Sequence, residues 1–500
     1  MSIKLLYPSK GVHLINQEGT VAICTLWSPP ENIINTLSHN GPVCVVGGLY
    51  GGGLNILLRN LLYNPQIDTL LVFGKELGHG SDYLKAYFND EVFRFESTQQ
   101  YKDVSTEEIV EYDKHYIDTD CGKYLLDPFI LPYKFKDRNF TFKIISTNTI
   151  TDLPLLLSYL NHYIPKDNPS VKRVISPELI AISDTAPSNI AGHTVIQKCV
   201  LTAWREVLFK LNKFGVMREF SNDKQRKELL NLKVVIESEG IDYLTDLELK
   251  ECNLTKAELK SYADTLMSPE IDEGQTYSYG NRITKHFNNE NNLQKVIHEL
   301  MLPGDRRRCY ITLWDNTKDI NRISGRPCMV SLFFRKIDNK VHLTVNFRSH
   351  NGALAWIKNA CGLFLVLKRV CYQTELNVGL LTIISHSISL DPNNIGQISN
   401  QIESYLTRHP RIKLDRYGYI KITTDPDKKL IHAYHFDHEN IELAHYEGCT
   451  PQEIQHLLYI NQCISDIGHA MYVGTQLEKA YICLNNNVKY VQDKKIIKFS

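Results

Sequence analysis

The chain has 500 residues, enough for two to four domains, and 43% of them are hydrophobic, a share that supports packed cores. Its 56 Lys and Arg balance 56 Asp and Glu, so it carries no electrostatic footprint for nucleic acid or an anionic membrane. Twelve cysteines without a CxxC pair argue against a zinc ribbon or a disulfide framework, no apolar run reaches the length of a membrane span, and residues 1–8 are too interrupted for a signal peptide; reduced thiols and a cytoplasmic location are expected.

Residues 43–46 read as a buried strand, followed by Gly47-Gly48 and Gly51-Gly52-Gly53 and a helical pattern through Leu54, Leu57, Leu58, Leu61 and Leu62. The glycines suit either a phosphate cradle or a tight turn. A second strand at 70–74 leads into Lys75-Glu76-Leu77-Gly78-His79-Gly80, where His79 between two glycines is sterically accessible as a metal ligand. A helix over 82–88 and a strand over 142–146 complete an alternation that implies a parallel sheet, a Rossmann-like α/β domain spanning 1–164.

Residues 165–192, rich in Pro, Ser and Asp, read as a linker. An amphipathic helix is expected over 194–214, a strand over 232–239, and a helix over 254–267 with Thr255 and Glu258 as a capping box. Strands follow at 309–314, 328–335 and 341–347, with a turn at Asp338-Asn339, then a long apolar helix over 353–372 and a buried strand over 379–390. This is an α+β block over 193–402. Strands at 417–422 and 430–436 and helices at 451–460 and 464–484 form a small α+β domain over 411–500, making the whole chain an α/β and α+β multidomain protein.

The central block carries the chemistry. Cys328 stands in Arg326-Pro327-Cys328-Met329, with Arg306-Arg307-Arg308 upstream and Arg348-Ser349 and Asn359 downstream. Cationic neighbours favour the thiolate, the reactive form of cysteine. The planar fork of arginine fits phosphate. An asparagine amide can read the paired N–H and C=O of a uracil edge. Taken singly, Cys328 reads as a core residue and each arginine as a surface residue; together they suit a pyrimidine-nucleotide pocket.

Residues 304–359 resemble thymidylate synthase, especially its archaeal-type branch. The resemblance rests on Arg307-Arg308, Pro327-Cys328, the run from His342 to Ser349, Ala355-Trp356-Ile357-Lys358-Asn359-Ala360, Thr382 to Ser387 and Tyr277-Ser278-Tyr279-Gly280, and it extends over about 195–400. It implies that Cys328 adds to C6 of dUMP and that C5 then takes a one-carbon unit from methylenetetrahydrofolate or a related pterin, giving dTMP. Arg348 and Ser349 would hold the phosphate, with Arg348 also keeping Cys328 ionised. Arg307 and Arg308 would reach the phosphate of a neighbouring subunit, making a homodimer. Asn359 would read the base, Tyr279 would serve proton transfer, and Asn351 completes the substrate set.

The chain departs from that family at several positions. Met329 replaces a histidine, Phe347 a glutamine, Asn351 an aspartate, and Ser389 and Asp391 the residues that hold the sugar hydroxyl. Glu299 mimics the local motif of the catalytic glutamate but lies too close to Arg307, which leaves Glu258; Arg226 or Lys224 would supply the early phosphate cation. Alternatives are a hydroxymethylase acting on dUMP or dCMP, and a catalytically idle nucleotide- or corrinoid-binding protein.

Residues 20–90, through the run from Asn64 to His79, resemble the corrinoid A subunit of tetrahydromethanopterin S-methyltransferase, which implies cobalamin ligated by His79. Residues 411–493 resemble an uncharacterised domain that accompanies such modules; there His469, on a helix, reads as structural.

Overall fold

A computed structural model describes the chain except residues 1, 9–10, 137, 149–151, 167–172, 184–185, 222–223, 240–243, 305, 324, 409–413 and 496–500; of residues 96, 220–221, 224, 238–239, 394–395 and 397 only the backbone is described. It divides into two compact units, Met1–Asp184 and Thr185–Ser500.

The strands of the first unit are β1 (Val12–Leu14), β2 (Val21–Cys24), β3 (Val43–Gly47), β4 (Thr69–Phe73), β5 (Val92–Asp103), β6 (Ile109–Thr119), β7 (Gly122–Leu126), β8 (Thr141–Ser146) and β9 (Leu179–Ala181). One sheet runs β1-β3-β2-β4-β8, parallel throughout except for β1 at the edge. Strands buried on both faces read as continuous apolar runs, and this sheet follows that rule. Ala22, Leu70 and Val72 pack with Leu58, Leu62 and Leu84 on one face, while Val21, Ile23 and Leu71 pack with Leu156 and Leu160 on the other.

A second, antiparallel sheet, β7-β6-β5-β9, was not expected from the sequence. Its last strand corrects the linker reading of 165–192, because β9 pairs with β5 through Tyr101↔Ala181.

In the second unit the strands are β10 (Thr194–Cys199), β11 (Val216–Ser221), β12 (Lys224–Glu239), β13 (Tyr310–Thr312), β14 (Met329–Ile337), β15 (Lys340–Phe347), β16 (His350–Asn351), β17 (Asn377–Leu390), β18 (Tyr419–Asp425), β19 (Leu430–Phe436) and β20 (Glu442–Gly448). The large sheet runs β10-β12-β17-β15-β14-β13, with β11 on β12 and β16 on β17. Helices Val200–Phe214 and Ala355–Thr374 supply much of its core, including Trp204, Leu208, Trp356 and Leu363.

The expected helix over 194–214 is corrected: its first six residues are β10, parallel to β12, and the helix begins at Val200. The capping box of Thr255 and Glu258 is present at the head of helix Lys256–Thr265. The three-stranded sheet β18-β19-β20 packs its Ile420, Ile422, Ile431 and Ala433 against helices Pro451–Ile460 and Ile467–Asn485.

Candidate active site

The site grows from the β14–β15 hairpin. Asp338 and Asn339 turn the chain with φ of 45° and 59°, the left-handed pair that a two-residue hairpin turn requires. The ladder then pairs Met329 with Phe347. The residues just outside it, Cys328 and Arg348, are thereby adjacent, and the Arg348 N–H donates to the Cys328 carbonyl at 2.9 Å. The hairpin thus accounts for the spacing between the two residues in sequence.

Arg348 is held in place by the same corner. Its Nε donates to the Pro327 carbonyl at 2.9 Å and its Nη2 to the Arg326 carbonyl at 3.2 Å. The guanidinium also lies 5.7 Å from the centre of the Trp314 ring, within cation–π range. Cys328 is half-buried, and Ser349 beside Arg348 is half-buried as well.

Tyr279 enters from the first turn of helix Tyr279–Thr284, whose N-cap is Ser278. Its hydroxyl accepts from the Met329 N–H at 3.3 Å, and its ring lies 5.8 Å from that of Tyr277. Burial, then the charges of Tyr277 and Cys328, push the Tyr279 hydroxyl upward, so it keeps its proton at neutral pH. Burial first and Cys328 second also raise Tyr277, while Arg348 draws it back. The helix is pinned from behind by the buried pair Arg282–Asp319 at 2.7 Å.

Asn359 lies in the second turn of helix Ala355–Thr374 and is 8% exposed. The Tyr262 hydroxyl donates to its Oδ1. Its Nδ2 donates to His350 Nε2 at 3.0 Å, and His350 Nδ1 lies 3.0 Å from Ser385 Oγ. His350 is stacked on Phe347 with ring centres 4.0 Å apart, and burial pushes its imidazole down to about 3. A neutral imidazole accepts at one nitrogen and donates at the other, so with the Asn359 amide donating to Nε2 the ring proton sits on Nδ1, facing Ser385. One lone pair and one N–H of that amide remain beyond these two bonds.

The departures from the family have physical counterparts. Met329 and Phe347 are both buried and face each other across the ladder, so the two losses of polar side chains form one cross-strand apolar pair. Asn351 uses its Oδ1 to accept from the N–H groups of Ala353 and Leu354, each at 3.0 Å, a turn that leads into the following helix. Ser389 is buried opposite Asn351, and Asp391 accepts from the Asn393 N–H.

Glu258 is exposed, and its carboxylate accepts from the Thr255 N–H and hydroxyl, each at 2.8 Å. Glu299 lies 3.7 Å from Arg306 and 3.6 Å from Arg308. Arg307 and Arg308 are exposed beside edge strand β13. Arg226 lies on β12, and the side chain of Lys224 is outside the described residues.

His79 is in the other unit, left-handed at φ 60° just before helix Gly80–Phe88, with Nδ1 3.3 Å from Asp82. His469 packs structurally: its Nδ1 lies 3.0 Å from Asp415, which also takes bonds from Ser465 and Asp466. Tyr262 and His350 were missed in the sequence. His350 had a signal, since it directly follows Arg348-Ser349; Tyr262 had only its place one helical turn after Glu258.

Comparison with known proteins supports the central and C-terminal readings. A protein of Methanosarcina barkeri named "Putative thymidylate synthase" is 27% identical over 212 residues, covering 42% of this chain and 95% of that one. One of that name from Methanothermobacter thermautotrophicus is 33% identical over 131 residues, 26% of this chain and 57% of its own length. The "Thymidylate synthase" of Mycoplasma genitalium is 26% identical over 162 residues, 32% of this chain and 52% of its own. Residues 414–493 match the family described as PterinBD-DUF4346. No helix among the described residues is long and apolar enough to cross a membrane.

Proposed function

We propose that the central block transfers a one-carbon unit to C5 of dUMP, giving dTMP, with Cys328 as nucleophile. The observation that carries this reading is the hairpin register that sets Cys328 beside Arg348. It is supported by the likeness to proteins named for this activity.

The thiolate bonds to C6 and pushes the ring electron pair toward C5 and O4. C5 then bonds to the methylene carbon of the reduced pterin and loses its proton. The carbon–nitrogen bond to the pterin breaks to leave an exocyclic methylene. Hydride from the reduced pterin ring, which is thereby oxidised, adds to that methylene as the C6–S bond breaks to release Cys328. Arg348 and Ser349 hold the phosphate, and the backbone bonds of Arg348 fix its fork before substrate arrives. Asn359 reads the uracil edge with its remaining lone pair and N–H. Tyr279 carries a proton between the ring and bound water. Exposed Arg307 and Arg308 serve the phosphate of a second copy in a homodimer.

The donor is methylenetetrahydrofolate or a related pterin. The family name of residues 414–493 supports a pterin partner, as does a cavity there of about 420 Å³ lined by Tyr417, Tyr459, Gln455, Gln462 and Ser465. Flat rings with side-chain amides suit a heterocycle that carries donors and acceptors along its edge.

A corrinoid role for the first unit is a second reading, favoured by one observation: Asp82 engages His79 at Nδ1, which leaves Nε2 as the ligand atom. His79 would hold cobalt there; the metal would supply methyl-carrying chemistry.

Tritium release from 5-tritiated dUMP in the presence of methylenetetrahydrofolate tests the main reading. Cys328→Ser removes the release and keeps dUMP binding; undiminished turnover in that variant refutes it. The visible spectrum of protein purified with cobalamin tests the second, and an unchanged spectrum in His79→Ala excludes His79 as the ligand.

A further inference from the structure

The outer face of the C-terminal sheet carries a cluster that the chemistry above does not use. In β19 the buried side chains alternate with His432, Tyr434 and Phe436 on the opposite face. The β19–β20 ladder sets His432 directly opposite Glu447 and Tyr434 opposite His445. Because side chains alternate along a strand, His445 and Glu447 share the face of His432. Three metal-ligating groups thus converge from two neighbouring strands, on a backbone held by a continuous antiparallel ladder.

We propose that His432, His445 and Glu447 form a binding site for a divalent cation of the zinc class. His432 Nδ1 lies 3.0 Å from His445 Nε2 and 3.7 Å from Glu447 Oε2. All three ligand atoms lie within 4.8 Å of one another. With zinc–ligand bonds of about 2.0–2.1 Å, separations of that size correspond to ligand–metal–ligand angles of roughly 95° and 130°, which bracket the tetrahedral angle. Two imidazoles and one carboxylate are a recurrent zinc set that leaves a fourth position open to water.

The surroundings suit this assignment. His432 keeps only 15% of its side-chain surface exposed while Glu447 keeps 61%, so the site has a buried anchor and an open mouth. The Tyr434 ring is stacked on His445 with centres 4.4 Å apart and planes within 5°, which holds the His445 imidazole over the site. Metal binding replaces the hydrogen bond between the two imidazoles, and the terminal imidazole torsion is soft enough for each ring to turn. The competing arrangement is metal-free, with a hydrogen bond between the two imidazoles and Glu447 paired with a protonated His432.

A second cluster, His79, Asp82 and Cys121 in the first unit, is exposed at all three positions and includes a thiol. That thiol gives the test its internal control, because cobalt bound to sulfur absorbs differently from cobalt bound only to nitrogen and oxygen.

The experiment titrates the full chain, freed of metal by chelation, with cobalt(II) and then displaces the cobalt with zinc. One equivalent is expected, with the absorption of a four-coordinate site lacking sulfur. His445→Ala weakens binding by roughly 100-fold, the upper end of what even outer-sphere substitutions cost a metal site. Glu447→Gln, on an exposed side chain, weakens it less and does not disturb folding. Zinc raises Tm of the parent chain and not that of His445→Ala, each compared with its own metal-free form. The proposal is overturned if the parent takes up no cobalt, if His445→Ala gives the same isotherm, or if the equivalent shows sulfur ligation and disappears with Cys121→Ser.

Discussion

The Arg348 N–H donates to the carbonyl of Cys328 at 2.9 Å while the Arg348 side chain turns back onto the carbonyls of Pro327 and Arg326. Backbone and side chain therefore close one corner around the proposed nucleophile. The corner is set before any ligand binds, because its bonds run to main-chain oxygens.

Replacing Arg348 with lysine keeps the charge and loses the planar fork. Hydrogen bonds made by a charged donor contribute about 1.5–3 kcal/mol each, and a lysine can keep at most part of one. Arg348→Lys should lower the unfolding free energy by about 1–3 kcal/mol in a denaturant titration. It should also raise KM for dUMP more than it lowers kcat. An unchanged KM would remove Arg348 from phosphate binding.

Tyr262 and His350 grip opposite ends of the Asn359 amide. Without the Tyr262 hydroxyl, the oxygen end loses its fixed donor, and the amide can present either edge to a base. Tyr262→Phe should therefore narrow the preference for dUMP over dCMP, measured as the ratio of their Kd values. The loss is about one hydrogen bond, so the change is roughly three- to tenfold. A preserved ratio with uniformly weaker binding would show that Tyr262 only fills space.

Burial holds the His350 imidazole down at about 3, below its ordinary value of 6.5. Between those values the unfolded chain binds a proton that the folded chain does not, so stability rises with pH across that window. The contribution is complete above about pH 6.5 and is lost progressively as pH falls toward the folded value. His350→Gln, neutral at every pH, should be less stable than the parent near neutrality through lost packing on Phe347. The gap should shrink as the solution is acidified. Urea midpoints for both proteins across that range check this; a constant gap means His350 does not titrate in unfolding.

Much of the central architecture could be read in the sequence because local signals agreed with the tertiary outcome. Asp338-Asn339 marked the hairpin, and its register followed from the apolar alternation of Val341, Leu343, Val345 and Phe347. Three of the first unit's parallel strands, β3, β4 and β8, were legible as short apolar runs, while β2, which lies between β3 and β4, was not read from the sequence. The sheet from β5 to β9 escaped because its strands are largely polar and show no clean alternation, as in β6, where burial is mostly intermediate. Thr194 to Cys199 mixes apolar and polar residues in a way that also suits a helix, and only pairing with β12 decides it. In the site, the neighbourhood of Cys328 and Arg348 followed from spacing. The partners of Asn359 did not, because Tyr262 arrives from a different helix and His350 is oriented by burial against Phe347.

Glu258 was the remaining sequence candidate for a catalytic glutamate, and its carboxylate is engaged in capping helix Lys256–Thr265. A carboxylate that accepts from an N-cap N–H and hydroxyl at the exposed end of a helix stabilises that end. Both bonds fall on Oε2, so capping engages one of the two carboxylate oxygens. Glu258→Gln preserves one acceptor and removes the charge, so it should cost about 0.5–1 kcal/mol, seen as a lowered Tm. Thr255→Ala should cost about as much, since it removes the reciprocal bond to the Glu258 N–H. Both variants should release tritium from 5-tritiated dUMP at the parent rate. A loss of release in Glu258→Gln but not in Thr255→Ala would separate chemistry from capping and return Glu258 to the active site.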